Sequence, residues 1–320
     1  MSCMGNRNHI VNAILLLSFA VCLTGCLFPS RTTEWKKTME KGNQEMSQRH
    51  FKAAQETYSQ AVTQAEHFES SDPRLSTSIA RLAEANFADQ QYEKAQRLCQ
   101  RLIVVEEKRL GTTNAGLADS IVKLAEVEQT MKIYDDADLL YQRAIEVVEN
   151  GDGPSTPVLG VYMARRAKLF TLRGRDDQAT VLYDRALKFI EDAQFSLSFS
   201  SELAEERSMF LVESARIRIE FGLLMEKEEK YPEAEVLYLR AKDTLEAKFS
   251  KFDLKLVPVL NGLARIYDKL NKPEEAEKYA RQSVRIASEQ MKEDQPMRIE
   301  ARKILDTILV KKEKAGKKED

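Results

Sequence analysis

Six alanines recur along this chain at nearly constant spacing. They are Ala54, Ala95, Ala137, Ala179, Ala234 and Ala276, separated by 41, 42, 42, 55 and 42 residues. Twelve residues before each stands another small residue: Gly42, Ala83, Ala125, Ala167, Gly222 or Ala264. Small residues at two fixed positions of a unit let an antiparallel pair of helices approach closely. Around each central alanine runs a pattern with steps of three, four and three residues. It is complete as Phe51, Ala54, Tyr58, Ala61, as Tyr134, Ala137, Tyr141, Ala144, and as Tyr231, Ala234, Tyr238, Ala241. Partial copies run from Tyr92, Asp176 and Pro273. Those steps keep all four side chains on one face of a helix. A helical hairpin cannot bury such a face alone, so the units must stack into an all-α solenoid of about six repeats.

The composition agrees. Glycine (12) and proline (8) are scarce in 320 residues, which argues against collagen-like, linker-rich and turn-dense all-β chains. The 49 basic and 51 acidic residues nearly cancel, so there is no global basic field for nucleic acid.

The repeat grammar resembles the tetratricopeptide repeat (TPR). Its period of about 42 instead of 34 is similar to the kinesin-light-chain type, with each helix about one turn longer. The Leu-Ala pairs at 82–83, 124–125 and 263–264, and the stretch Asn261-Gly-Leu-Ala-Arg-Ile-Tyr267, carry that likeness. It covers about residues 35–290 and implies a right-handed superhelix whose first helices line a groove for another protein or a peptide segment. Carrying the family register across places Asn43, Glu84, Phe87, Asp119, Glu126, Lys168, Arg216, Asn261 and Arg265 on that groove, with Lys36, Met39, Met46, Gln129, Thr171, Ile219, Glu226, Asp268 and Lys269 beside them. The expected groove is acidic in its early and middle part and more basic later. The lysine-and-asparagine clamp of chaperone-binding TPRs is not matched, because Met39 stands at its lysine position.

The solenoid is expected over residues 35–293, with an insertion near 195–207 read as a loop followed by an extended first helix. Residues 294–310 carry Met297, Ile299, Ile304, Leu305, Ile308 and Leu309 and read as an amphipathic capping helix. Residues 311–320 hold five lysines and three acids and read as a charged, disordered tail.

The first 25 residues read as an address. Arg7 is their only charged residue, and an apolar run follows from Ile10 to Leu23. That run is short of the roughly 20 residues a membrane-spanning helix needs, which points to a secretory signal. It ends in Leu23-Thr24-Gly25-Cys26, which resembles the lipobox of bacterial lipoproteins. The resemblance implies cleavage after residue 25, a lipid on Cys26 and a tether over residues 26–34. It also implies attachment to the cell envelope, at the outer membrane in a Gram-negative cell because residue 27 is leucine. Cys99 would then be the one other cysteine, so no intramolecular disulfide is expected.

No catalytic constellation stands out. Only His50 and His67 lie beyond the signal, and no H-E-x-x-H, C-x-x-C, G-x-x-x-x-G-K or G-x-S-x-G motif occurs. No enzyme activity, cofactor or metal is expected. The expected function is a membrane-anchored protein-interaction scaffold that supports assembly or positioning of an envelope complex. The alternatives are a self-assembling structural lipoprotein and a recruiter of an envelope enzyme.

Overall fold

The computed structural model describes residues 30–151, 157–197 and 204–319. The expected signal segment and Cys26 lie outside the described residues. Thirteen α-helices and two short 3-10 turns make up the described chain, with no strand among the described residues. They fall into two compact units, divided after Thr112.

The first unit holds two hairpins. Helix α1 (Arg31–Ser47) pairs with α2 (Phe51–Ala65), and α3 (Arg74–Ala88) pairs with α4 (Tyr92–Leu110). The second unit holds four. They are α5 (Ala118–Thr130) with α6 (Tyr134–Gly151), α7 (Pro157–Leu172) with α8 (Asp176–Leu197), α9 (Ala204–Lys227) with α10 (Tyr231–Lys248), and α11 (Val257–Lys269) with α12 (Pro273–Gln290). Helix α13 (Pro296–Glu319) closes the stack against α12 and α11. Within this unit first helices also touch one another, α7 with α9, α9 with α11 and α11 with α13, and so form a continuous layer.

Every hairpin turns in the same way. A three-residue link carries a left-handed central residue: Arg49, Gln90, Lys132, Gly174, Glu229 or Asn271, each with φ between 57° and 70°. The next amide donates five residues back, as in His50 N to Glu45 O and Lys272 N to Tyr267 O, both at 2.9 Å. This Schellman closure satisfies carbonyls at the end of the first helix. Five of the six central residues are not glycine, so each bears a backbone cost of about 1 kcal/mol that hairpin packing must offset.

The periodic residues form the core. All six central alanines are 0 % exposed, and the twelve-upstream residues Gly42, Ala83, Ala125, Ala167, Gly222 and Ala264 are buried. Tyr58, Tyr141, Tyr183 and Tyr238 are among the largest fully buried side chains. Cys99 takes the tyrosine place in the second repeat and is buried.

Three boundaries differ from the sequence expectation. Helix α1 begins at Arg31, not Trp35, because the Ser30 hydroxyl accepts the Thr33 amide at 3.2 Å and caps it. Residues 31–34 of the expected tether are thus part of α1. Residues 311–319 are helical, not disordered. Lys311 pairs with Asp268 and Lys312 donates to Glu277 at 2.8 Å, which ties the start of the expected tail to α11 and α12. At the insertion, 195–197 and 204–207 belong to α8 and α9, which reach 22 and 24 residues. Most of the extra length is helix, and residues 198–203 lie outside the described residues.

Candidate protein-binding site

Each buried tyrosine sends its hydroxyl through the hairpin to a polar side chain of the first helix. Tyr58 donates to Asn43 Oδ1 at 2.7 Å, Tyr141 to Gln129 Oε1 at 3.2 Å and Tyr238 to Glu226 Oε2 at 3.2 Å. Burial pushes all four tyrosine hydroxyls well up from their usual range. They remain neutral donors, so the first-helix face is built on fixed hydrogen bonds.

In the first unit, Glu84 pairs with Arg81 at 2.9 Å, one turn away on α3. The Phe87 ring meets Tyr92 edge-on at 5.4 Å between centroids. Trp35 Nε1 donates to Ser78 Oγ at 2.9 Å, and Met39 is buried among Ala54, Tyr58 and Ala85. Met39 is therefore core and not groove, and Trp35 packs α1 onto α3.

In the second unit the face is a lattice of matched groups. Asp119 accepts from the Tyr162 hydroxyl at 2.5 Å. Glu126 pairs with Arg165. Lys168 meets Glu220 at 3.0 Å, and Arg216 meets both Glu213 at 2.7 Å and Glu220 at 2.9 Å. Burial and the neighbouring Arg216 push the Arg165 guanidinium down from its usual value. Arg265 grips Glu226 in a fork at 2.7 and 3.1 Å and reaches Glu300 at 3.1 Å. Within the second unit Glu126, Lys168, Arg216 and Arg265 thus each have an opposite charge as partner, and Asp119 has a hydroxyl donor.

Asn261 is also corrected. It is 2 % exposed and faces α12, where its Oδ1 accepts from the Ser283 hydroxyl at 2.6 Å. It is a buried hydrogen-bonding group of the last hairpin. Of the other register residues, Asn43, Glu84, Phe87, Asp119, Glu126, Lys168, Arg216 and Arg265 lie exposed or half-buried on first helices.

The sequence reading stopped the face at Lys269 of α11, and the structure extends it. Helix α13 acts as one more first helix. Between it and α11 opens a cleft of about 400 Å³ with Ile304 and Ile308 on its floor. Lys269 and Lys303 line it and form no ion pair among the described residues, unlike Arg265 and Lys311 beside them. The apolar spacing Ile304–Ile308 was visible in the sequence, but it was assigned wholly to closing the core. No group of three or more His, Cys, Asp or Glu side chains is placed to hold a metal ion among the described residues. No described helix is long and apolar enough to cross a membrane.

Residues 213–289, which span α9 to α12, match the tetratricopeptide repeat family. BtubC (BKLC) from P. vanneervenii is similar in fold over 75 % of this chain and 91 % of its own, with a TM-score of 0.62 and 17 % identity. The PH0952 STAND protein with a tetratricopeptide repeat sensor, from Pyrococcus horikoshii, is similar over 86 % of this chain and 38 % of its own, at 0.60 and 16 %. The apo quorum sensor NprR from B. thuringiensis is similar over 93 % of this chain and 76 % of its own, at 0.56 and 15 %. No curated protein sequence is similar enough to count as a relative. At these identities the likeness is one of fold. The fold is a TPR-like solenoid of helical hairpins.

Proposed function

We propose that this chain is a lipid-anchored adaptor of a bacterial cell envelope, holding a partner protein on its first-helix face. The cleft between α11 and α13 carries the reading. It combines an apolar floor, Ile304 and Ile308, with two cations, Lys269 and Lys303, that form no ion pair among the described residues. A partner segment with an acidic side chain next to an aliphatic one fits both. Anchoring rests on Leu23-Thr24-Gly25-Cys26 at the end of the apolar run. A lipid on Cys26 would leave Leu27–Ser30 before α1, a reach of at most about 14 Å, and hold residues 30–112 against the headgroups. Two proteins confined to one surface meet at raised effective concentration, so modest affinity suffices. The role is binding, with no nucleic acid, cofactor or catalysis.

The test is affinity capture from detergent-solubilised envelopes with three forms: the full chain, Cys26→Ala, and Lys269→Glu with Lys303→Glu. A stoichiometric partner should stay with the full chain, weaken with Cys26→Ala and be lost with the lysine pair reversed. The mature chain should carry the mass of a diacylglycerol on Cys26. A free thiol there overturns the anchor, and no partner with any form overturns the adaptor.

A further inference from the structure

The register that buries the alanines also decides what the second helices present outward. Two residues after each central alanine stand Glu56, Arg97, Leu139, Val181, Val236 and Lys278. In the three repeats of α5 to α10 this side chain is aliphatic and exposed: Leu139 by 67 %, Val181 by 58 % and Val236 by 50 %. A single exposed aliphatic residue needs no explanation. Three at one register position of three successive second helices form a ladder. Four residues on, one turn along the same faces, stand Arg143, Arg185 and Arg240. Three or four residues before stand Asp136, Asp177 and Glu233, all exposed. Arg185 and Arg240 are exposed and form no ion pair among the described residues. Each rung therefore reads acid, aliphatic, arginine from N- to C-terminus.

We propose that this outer face of α6, α8 and α10 pairs with the same face of a second copy of the chain. The hairpins reverse direction at every turn, so the three helices run the same way. Two copies can meet face to face about either of two two-fold axes lying in the interface. An axis running across the helices sets each one antiparallel to its own copy. Leu139 then meets Leu139, Val181 meets Val181 and Val236 meets Val236, while every arginine lies over an acid of the other copy. An axis running along the helices sets α6 over α10 with acids on acids and arginines on arginines, which like-charge repulsion disfavours. The order of charge along each rung thus selects one isologous arrangement and one register. In the sixth repeat the same position is Lys278, whose charge bounds the aliphatic ladder at that end. This pairing uses the face opposite the first helices, so it stands or falls independently of the adaptor reading.

The experiment is oxidative cross-linking of the full chain carrying Val181→Cys, Leu139→Cys or Val236→Cys, with the unmodified chain as background for its own cysteines. Each single variant should give a homodimer well above that background. A mixture of the Leu139→Cys and Val236→Cys chains should give the two homodimers and no mixed one. Adding Arg185→Glu to Val181→Cys should cut the dimer several-fold by opposing two acids. Adding Asp177→Arg as well should restore it, which a misfolded chain would not do. Mixed Leu139–Val236 dimers in place of homodimers would overturn the arrangement. Yields at background in all three variants would overturn the self-pairing.

Discussion

A Cβ built on Gly262 would stand 2.5 Å from Cζ of Tyr238, and one built on Gly222 would stand 2.9 Å from the same atom. One ring of α10 thus fills the space left by a glycine of its own hairpin and by a glycine of the next. Helix propensity alone makes Gly262→Ala stabilising by about 1 kcal/mol. Overpacking opposes it by about 1–3 kcal/mol, and the ring is fully buried with no room to retreat. We expect Gly262→Ala to lower stability by about 1–2 kcal/mol in urea unfolding. In a Tyr238→Leu background the same change should become neutral or stabilising, and an unchanged penalty there would show that the ring is not the cause.

The same contacts explain what could be read in advance. Tyr238, Gly222 and Ala234 were legible because a solenoid repeats one packing solution, so spacing alone reveals it. Helix ends were less so. The start at Arg31 depends on one hydroxyl, Ser30, and the helicity of 311–319 depends on Asp268 and Glu277 standing opposite two lysines. Pairing on the first-helix face was not legible, because Lys168 and Glu220 are 52 residues apart across an insertion that breaks the period. Asn261 was misread although a signal existed. Ser283 is a serine where Ala61, Ala144, Ala186 and Ala241 stand in other repeats, and a buried hydroxyl at that position calls for a polar partner.

Asn261 and Ser283 should accordingly behave as a structural pair. Ser283→Ala restores the residue of most other repeats, yet it leaves Asn261 Oδ1 buried without its donor. We expect a loss of about 1–3 kcal/mol, part of which the added change Asn261→Ala recovers. Neither variant should alter partner capture at low temperature, where the fold is intact. Loss of capture with a normal unfolding curve would return Asn261 to the binding face.

Arg265 joins three elements. It forks onto Glu226 of α9, reaches Glu300 of α13, and shares Glu226 with the Tyr238 hydroxyl of α10. Removing it leaves Glu226 half-buried with only a neutral donor. Arg265→Met should cost about 1–3 kcal/mol, measured by urea unfolding. Arg265→Lys should recover little of this, since one ammonium cannot reproduce the fork. Full rescue by lysine would mean that charge, and not geometry, holds these helices together.

Helix α13 should loosen in acid, and Glu277 sets where. Hydrogen bonds from Lys312, and then from Arg281, hold its carboxyl below the usual carboxylate range. A lowered folded pKa contributes stability above the unfolded value, about 4.3 for glutamate, and loses it as pH falls through the folded value. The contact is therefore whole at neutral pH and is released only as pH falls below the ordinary glutamate range. Hydrogen-exchange protection factors across residues 300–312 of the full chain should drop through that range and stay flat in Glu277→Gln. Because Ile304, Ile308 and Lys303 line the cleft from the same helix, partner capture should weaken over the same interval. Protection in Glu277→Gln that falls as steeply as in the unaltered chain would show that Glu277 is not the source of the acid response.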